Sequence, residues 1–170
     1  MNQEQWEARE ALRVQKEQQE RIEKLSILNQ YAGKGQILFT GSSLMEQFPV
    51  NEILMTKGLS YRIYNRGVSG FTTLDMLNHM DTMVFDLEPS RIFINIGTND
   101  IGATDYSEDA QLANYGRILT QIKERLPQAE VYVMAYYPVN ETDKLSRCEQ
   151  GADEYDLSGK TIVPFVTSGG

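Results

Sequence analysis

Among its 170 residues this chain carries one cysteine, Cys148, and one histidine, His79. A lone cysteine rules out an intrachain disulfide and a cysteine-based zinc cluster within one chain. Basic side chains are in deficit, with 16 Lys and Arg against 24 Asp and Glu and a formal charge of −8. A surface of that sign repels nucleic acid and anionic membranes, so a nucleic-acid partner is excluded from the expected functions. No apolar run approaches the length of about 20 residues that spans a bilayer. The start, Met1 to Trp6, lacks the basic-then-apolar order of a signal peptide. A soluble, cytoplasmic protein is the expectation, with one domain over residues 1–170 and a sizeable core.

Proline and glycine are also missing from about Gln3 to Tyr31, where Glu, Gln, Lys, Arg, Ala and Leu dominate. These are strong helix formers, so a long N-terminal helix is predicted over about residues 1–31. Its apolar residues Trp6, Leu12, Val14, Ile22, Leu25 and Leu28 are sparse and only partly in phase. The early part should therefore project and the later part pack, with docking near Tyr31. A homodimer built through this helix is one reading. A solvated helix lying along the globule is the simpler one.

Gly33 to Gly35 ends the helical stretch, and from there apolar runs alternate with helical periods. Strands are predicted at Ile37 to Phe39, Tyr61 to Tyr64, Arg91 to Ile96 and Glu130 to Tyr136. Between them lie a helix or loop from Leu44 to Leu59, a helical run through Leu74, Leu77, Met80 and Val84, and a helix face of Leu112, Tyr115, Leu119, Ile122 and Leu126. A fifth strand is expected from Thr161 to Thr167, confined to an edge or bulge by Pro164. Strands alternating with helices imply an α/β fold: a parallel sheet of about five strands covered on both faces, in three α/β/α layers like a flavodoxin.

Three strand exits carry groups suited to acyl transfer, namely Ser43, Gly70 and Asn99. Attack on an ester carbonyl needs a nucleophile and hydrogen-bond donors aimed at the developing oxyanion. A hydroxyl at a helix start, a backbone N–H at a glycine and an uncharged side-chain amide supply these. Taken singly, each has a plainer explanation. Ser42 and Ser43 would cap the helix that follows, Gly70 would serve a turn, and Asn99 an Asx-type turn.

Taken together, Gly41-Ser42-Ser43-Leu44, Asn65-Arg66-Gly67-Val68-Ser69-Gly70 and Gly97-Thr98-Asn99-Asp100 resemble the first three sequence blocks of the SGNH, or GDSL-type, ester hydrolases. The likeness covers about residues 35–140 and is closest to bacterial esterases similar to platelet-activating-factor acetylhydrolase. It implies Ser43 as nucleophile, with its own N–H, the Gly70 N–H and the Asn99 amide forming the oxyanion hole. It further implies a small acyl or acetyl ester as substrate and neither metal nor organic cofactor. Ser42 stands where that family usually has aspartate.

The family's fourth block, Asp-x-x-His, has no counterpart, so no catalytic Asp or His is identified. His79 falls between Leu77 and Met80 in a helical run, where a packed or surface histidine is expected. A serine hydroxyl without a base in reach is a poor nucleophile near neutral pH. Residues 141–170 form an atypical tail in place of that block, and residues 154–170 resemble a strand and loop of flavodoxin-like proteins. A fused or frameshifted reading frame would account for this. The expectation is a catalytically incomplete ester hydrolase. The alternatives are a non-catalytic SGNH-like domain that binds a ligand or partner and, less favoured, a flavodoxin-like module binding flavin mononucleotide.

Overall fold

Parallel strands must be joined by crossovers that return the chain to the same end of the sheet, and helix stands between the first and second, the second and third, and the third and fourth strands. The computed structural model describes residues 2–135 and the backbone of 161–163. Strands β1 (Ile37–Gly41), β2 (Ile63–Gly67), β3 (Arg91–Asn95), β4 (Glu130–Met134) and β5 (Thr161–Val163) form one sheet in the order β2-β1-β3-β4-β5, every pair parallel. The helices are α1 (Gln3–Asn29), α2 (Ser43–Glu46), α3 (Val50–Lys57), α4 (Thr73–Asn78), α5 (Met80–Met83), α6 (Thr98–Ile101) and α7 (Glu108–Arg125), with a 3-10 turn at Phe85–Leu87.

Side chains of residues paired across parallel strands share a face. Leu38, Ile92 and Val131 are so paired, and they are buried with Ile22 and Leu25 of α1, Met76 of α4, Met80 of α5 and Ile118 and Ile122 of α7. The opposite face carries Phe39, Phe93 and Tyr132. The Phe93 and Tyr132 rings stack at 4.6 Å, and Phe48, just past α2, stacks on Phe39 at 5.9 Å. The three layers expected from the sequence are therefore present. Because β1 has β2 on one side and β3 on the other, the crossovers diverge between β1 and β3. In open α/β sheets such a point of divergence, outside the carboxyl ends of the strands, is where ligands bind.

Several boundaries depart from the sequence expectation. β2 begins at Ile63, not Tyr61, because its register pairs Ile63 with Ile37, the first residue of β1; Arg62 only accepts the Ile37 N–H at 3.2 Å and has no strand residue opposite it. It also continues through Asn65 and Arg66 to Gly67, residues predicted to follow the strand. The single helical run through Leu74 and Val84 is instead two short helices and a 3-10 turn. The break lies at His79 (φ −126°, ψ 22°), whose ring Nδ1 sits 2.8 Å from the Asp75 carbonyl oxygen, so that its own N–H turns to Met76 O. A side chain inserted into the helical ladder is a recognised cause of such a break. Leu74, predicted to be apolar-facing, is exposed, while Met76 is buried.

Helix α1 stops at Asn29, and Tyr31, expected near the docking point, is exposed. Docking is instead through Ile22, Leu25 and Asn29, with Trp6, Leu12 and Leu28 left in solvent. Asn29 is buried because it bridges charges. Its Oδ1 accepts from Arg66 Nε at 2.7 Å, while its Nδ2 donates to Asp86 Oδ2 at 3.0 Å and to Thr82 O at 2.8 Å. Burial, aided by the charge of Arg21, lowers the Arg66 pKa from its ordinary value, as expected for a cation without a direct carboxylate partner. β5 lies at the sheet edge beside β4, as expected for the strand predicted there. The flavodoxin-like likeness of residues 154–170 otherwise lies outside the described residues, as do Cys148 and Tyr136. No described helix is long and apolar enough to cross a membrane.

Candidate active site

The first predicted site residue is delivered by a tight exit from β1. Gly41 has φ 141°, and a Cβ built there would fall 1.9 Å from Asn95 O, so glycine alone lets β1 press against β3 at this level. Ser42 N–H donates to the same Asn95 oxygen at 3.0 Å, and α2 starts immediately at Ser43. Ser42 is buried and sits at the cap position, yet its side chain makes no capping hydrogen bond. Nothing in the geometry supports a pure capping role for either serine. Ser43 is half-buried, and its hydroxyl has no hydrogen-bond partner among the described residues. Its N–H is one of the orphan donors of a helix start.

The second and third exits lie beside the first because the register aligns them: Gly41 is opposite Gly67 on one side and Asn95 on the other. Gly70 follows Gly67 by one turn, closed by Phe71 N–H to Val68 O at 3.3 Å. Asn99 lies in α6, just beyond β3. Side chains then tie the exits together. Glu46, at the end of α2, accepts the Ser69 N–H at 2.6 Å. Asn65 accepts the Gly67 N–H at 2.9 Å and donates its amide to Met45 O. Asn99 donates one Nδ2 hydrogen to Phe71 O at 2.8 Å, which leaves its second amide hydrogen for another acceptor. Thus Ser43, Gly70 and Asn99 all sit at the carboxyl edge of the sheet, on segments hydrogen-bonded to one another.

Asp100 holds the third segment against α4. It accepts from the Thr73 N–H at 2.9 Å and from the Thr73 hydroxyl, and Asn114 of α7 donates to that same hydroxyl at 3.3 Å. Burial raises the Asp100 pKa from the ordinary aspartate value, outweighing the Thr73 hydrogen bonds, which act in the opposite direction. The folded protein therefore holds this proton more tightly than the unfolded chain does. Below the unfolded value both states are protonated, and as pH rises from about 4 the unfolded state gains by ionising first. The Asp100 contribution to stability thus declines across that window. Urea midpoints for Asp100→Asn should fall less between pH 4 and pH 7 than those of wild type; parallel curves would contradict this.

His79 is tied to its own helical segment. Its Nδ1 is committed to the Asp75 carbonyl and its ring lies 5.4 Å from that of Phe71. The Asp75 carboxylate is in turn occupied by the Thr72 N–H and hydroxyl in a capping box. No hydrogen bond joins His79 to Ser43. Among the described residues, no group of histidine, cysteine, aspartate and glutamate is arranged to hold a metal ion.

Sequence reasoning missed the contribution of α1. Gln18 Nε2 donates to Ser69 O at 3.0 Å, while Arg21 pairs with Glu46 at 3.2 Å. Between α1 and the Gly70 turn lies a cavity of about 400 Å³, lined by Val14, Gln18, Arg21, Glu46, Ser69 and Gly70 among others. No apolar periodicity marks Gln18 or Arg21, and the only available signal was their place on a helix expected to lie along the globule.

Comparisons with known proteins bear on the family and the fold. The model of the GDSL-like Lipase/Acylhydrolase family matches residues 50–158, a stretch that contains the Gly70 and Asn99 segments and begins after Ser43. A structure from Streptococcus pneumonia described as a candidate platelet activating factor is 28% identical, covers 96% of this chain and 81% of its own, and superposes with a TM-score of 0.78. A GDSL-like lipase from Bacteroides thetaiotaomicron shares the fold at 19% identity, with 84% of this chain and 77% of that one covered and a TM-score of 0.70. A catalytic mutant of an acetylxylan esterase from Geobacillus stearothermophilus does so at 21% identity, with 77% and 76% covered and a TM-score of 0.59. No curated protein matches the chain in sequence.

Proposed function

Because the chain belongs to the GDSL-like lipase/acylhydrolase family, we propose that it is a serine ester hydrolase acting on small acyl or acetyl esters, with Ser43 as the nucleophile. Attack by Ser43 Oγ on the ester carbonyl places negative charge on the carbonyl oxygen. The Ser43 N–H, the Gly70 N–H and the free Asn99 amide hydrogen would receive it, and collapse would expel the alcohol and leave an acyl-serine for water to cleave. The observation that carries this reading is the Asn99 amide. It is anchored to Phe71 O by one hydrogen, with the other uncommitted, beside a turn fixed to the Ser43 helix through Glu46. Neither the Ser43 N–H nor the Gly70 N–H meets a protein acceptor among the described residues.

The weak point of the chemistry is proton transfer. Ser43 Oγ must lose its proton during attack, and with the only histidine of the chain held by Asp75 O the proton passes to solvent hydroxide or water, and water protonates the departing alkoxide. We infer slow acyl transfer, sustained by the oxyanion donors and binding, which in triad-deficient serine hydrolases retain about 10³–10⁴-fold over water. Hydrolysis of p-nitrophenyl acetate above the buffer rate by wild type, and its loss in Ser43→Ala, is the expected outcome; equal rates for the two would sink the assignment. The position of His79 also favours a second reading, a non-catalytic domain that keeps the ester-binding crevice. It predicts saturable ester binding with no acyl-serine detectable by mass.

A further inference from the structure

We infer that Gln18, on the N-terminal helix, is a positioning residue for the oxyanion hole: it fixes the direction of the Gly70 N–H by holding the Ser69 carbonyl. The inference rests on the ester-hydrolase reading and deepens it. Residues Val68 to Phe71 form a reverse turn closed by Phe71 N–H to Val68 O at 3.3 Å, with Gly70 at its third position and φ 78°. A positive φ there is the signature of a type II turn. The peptide between Ser69 and Gly70 is the central one of that turn, and it carries both the Ser69 C=O and the Gly70 N–H.

A trans peptide is planar, so these two groups point in opposite directions. The Ser69 oxygen points to α1, where Gln18 donates to it at 3.0 Å. Since the partner is a carbonyl, the Gln18 atom facing it must be its amide nitrogen. The Gly70 N–H is thereby directed away from α1. Rotating this one peptide by half a turn would give a type I turn and send the N–H the other way. Glycine tolerates both forms, so Gly70 does not choose between them. Gln18 does, because only the type II form offers it an acceptor.

The surroundings hold Gln18 and the turn in register. Glu46 takes the preceding N–H, that of Ser69, at 2.6 Å, and Arg21, one helical turn beyond Gln18, pairs with Glu46. Gln18 Nε2 lies only 2.8 Å from where a Gly70 Cβ would stand, so the helix side chain covers the outer side of this residue. The polar half of α1 thus acts as the outer support of the catalytic turn.

The test uses the full chain and the variants Gln18→Leu, which cannot donate, and Gln18→Glu, whose carboxylate repels the Ser69 oxygen and favours the reversed peptide. Two readouts are taken: the rate of Ser43 modification by a fluorophosphonate, followed by intact mass, and the amide signal of Gly70 in protein labelled with 15N-glycine and assigned with Gly70→Ala. Both variants should move the Gly70 signal and slow modification about tenfold, with more slowing for Gln18→Glu. The loss should fall on the limiting rate and not on the reagent concentration giving half that rate. That split separates positioning from general destabilisation, which would alter melting temperature without this pattern. A Gly70 signal unmoved in both variants overturns the inference, whether or not modification slows. If wild type reacts no faster than Ser43→Ala, the ester-hydrolase reading fails instead, and the Gly70 signal alone decides whether Gln18 sets the turn.

Discussion

Replacing Asn99 with alanine should slow turnover of an activated acetyl ester by about 10²–10³-fold, the usual cost of deleting one oxyanion donor. The effect belongs in the limiting rate, because the donor bonds weakly to a neutral carbonyl oxygen and strongly to the oxyanion. Asn99 is suited to this because one amide hydrogen is held by Phe71 O at 2.8 Å, which orients the other without consuming it. The variant also leaves Phe71 O without its partner, which should cost about 1 kcal/mol of stability. Urea denaturation alongside the rate measurement separates the two effects. A rate within threefold of wild type would remove Asn99 from the chemistry.

Gly41→Ala should prevent folding or lower stability by several kcal/mol, a large share of the about 5–15 kcal/mol that holds a typical domain together. The added Cβ would lie 1.9 Å from Asn95 O, which is also the acceptor of the Ser42 N–H. Relief requires β1 and β3 to part at the centre of the sheet, and the φ of 141° is itself one that alanine avoids. Circular dichroism and a urea titration measure the loss. A variant as stable as wild type would show that the approach of β1 to β3 is looser than described.

The parallel α/β architecture was legible because it is written in local signals: apolar runs of strand length, helical periods and glycine at the turns. The placement of the three candidate segments was legible for the same reason, each lying immediately after a strand that can be read from its own residues. Boundaries were less so. The start of β2 is set by where β1 begins, not by Tyr61 and Arg62 themselves, and the break at His79 depends on an imidazole reaching the Asp75 carbonyl. The part played by α1 was hidden most deeply. Ile22 and Leu25, apolar in the sequence, bury it against the core, but Asn29, Gln18 and Arg21 are polar residues that look solvated in a sequence and become informative only when Arg66, Ser69 and Glu46 are seen opposite them.

The central claim is that Ser43 is a nucleophile flanked by oxyanion donors and not hydrogen-bonded to a histidine. The most direct measurement is the modification of the intact chain by a fluorophosphonate across a range of pH, with the labelled peptide identified by mass. The account predicts slow labelling confined to Ser43 and absent from Ser43→Ala, with a rate that keeps rising with pH and shows no midpoint near neutrality. Rapid stoichiometric labelling with a midpoint near neutral pH, or labelling that persists in Ser43→Ala, would contradict it.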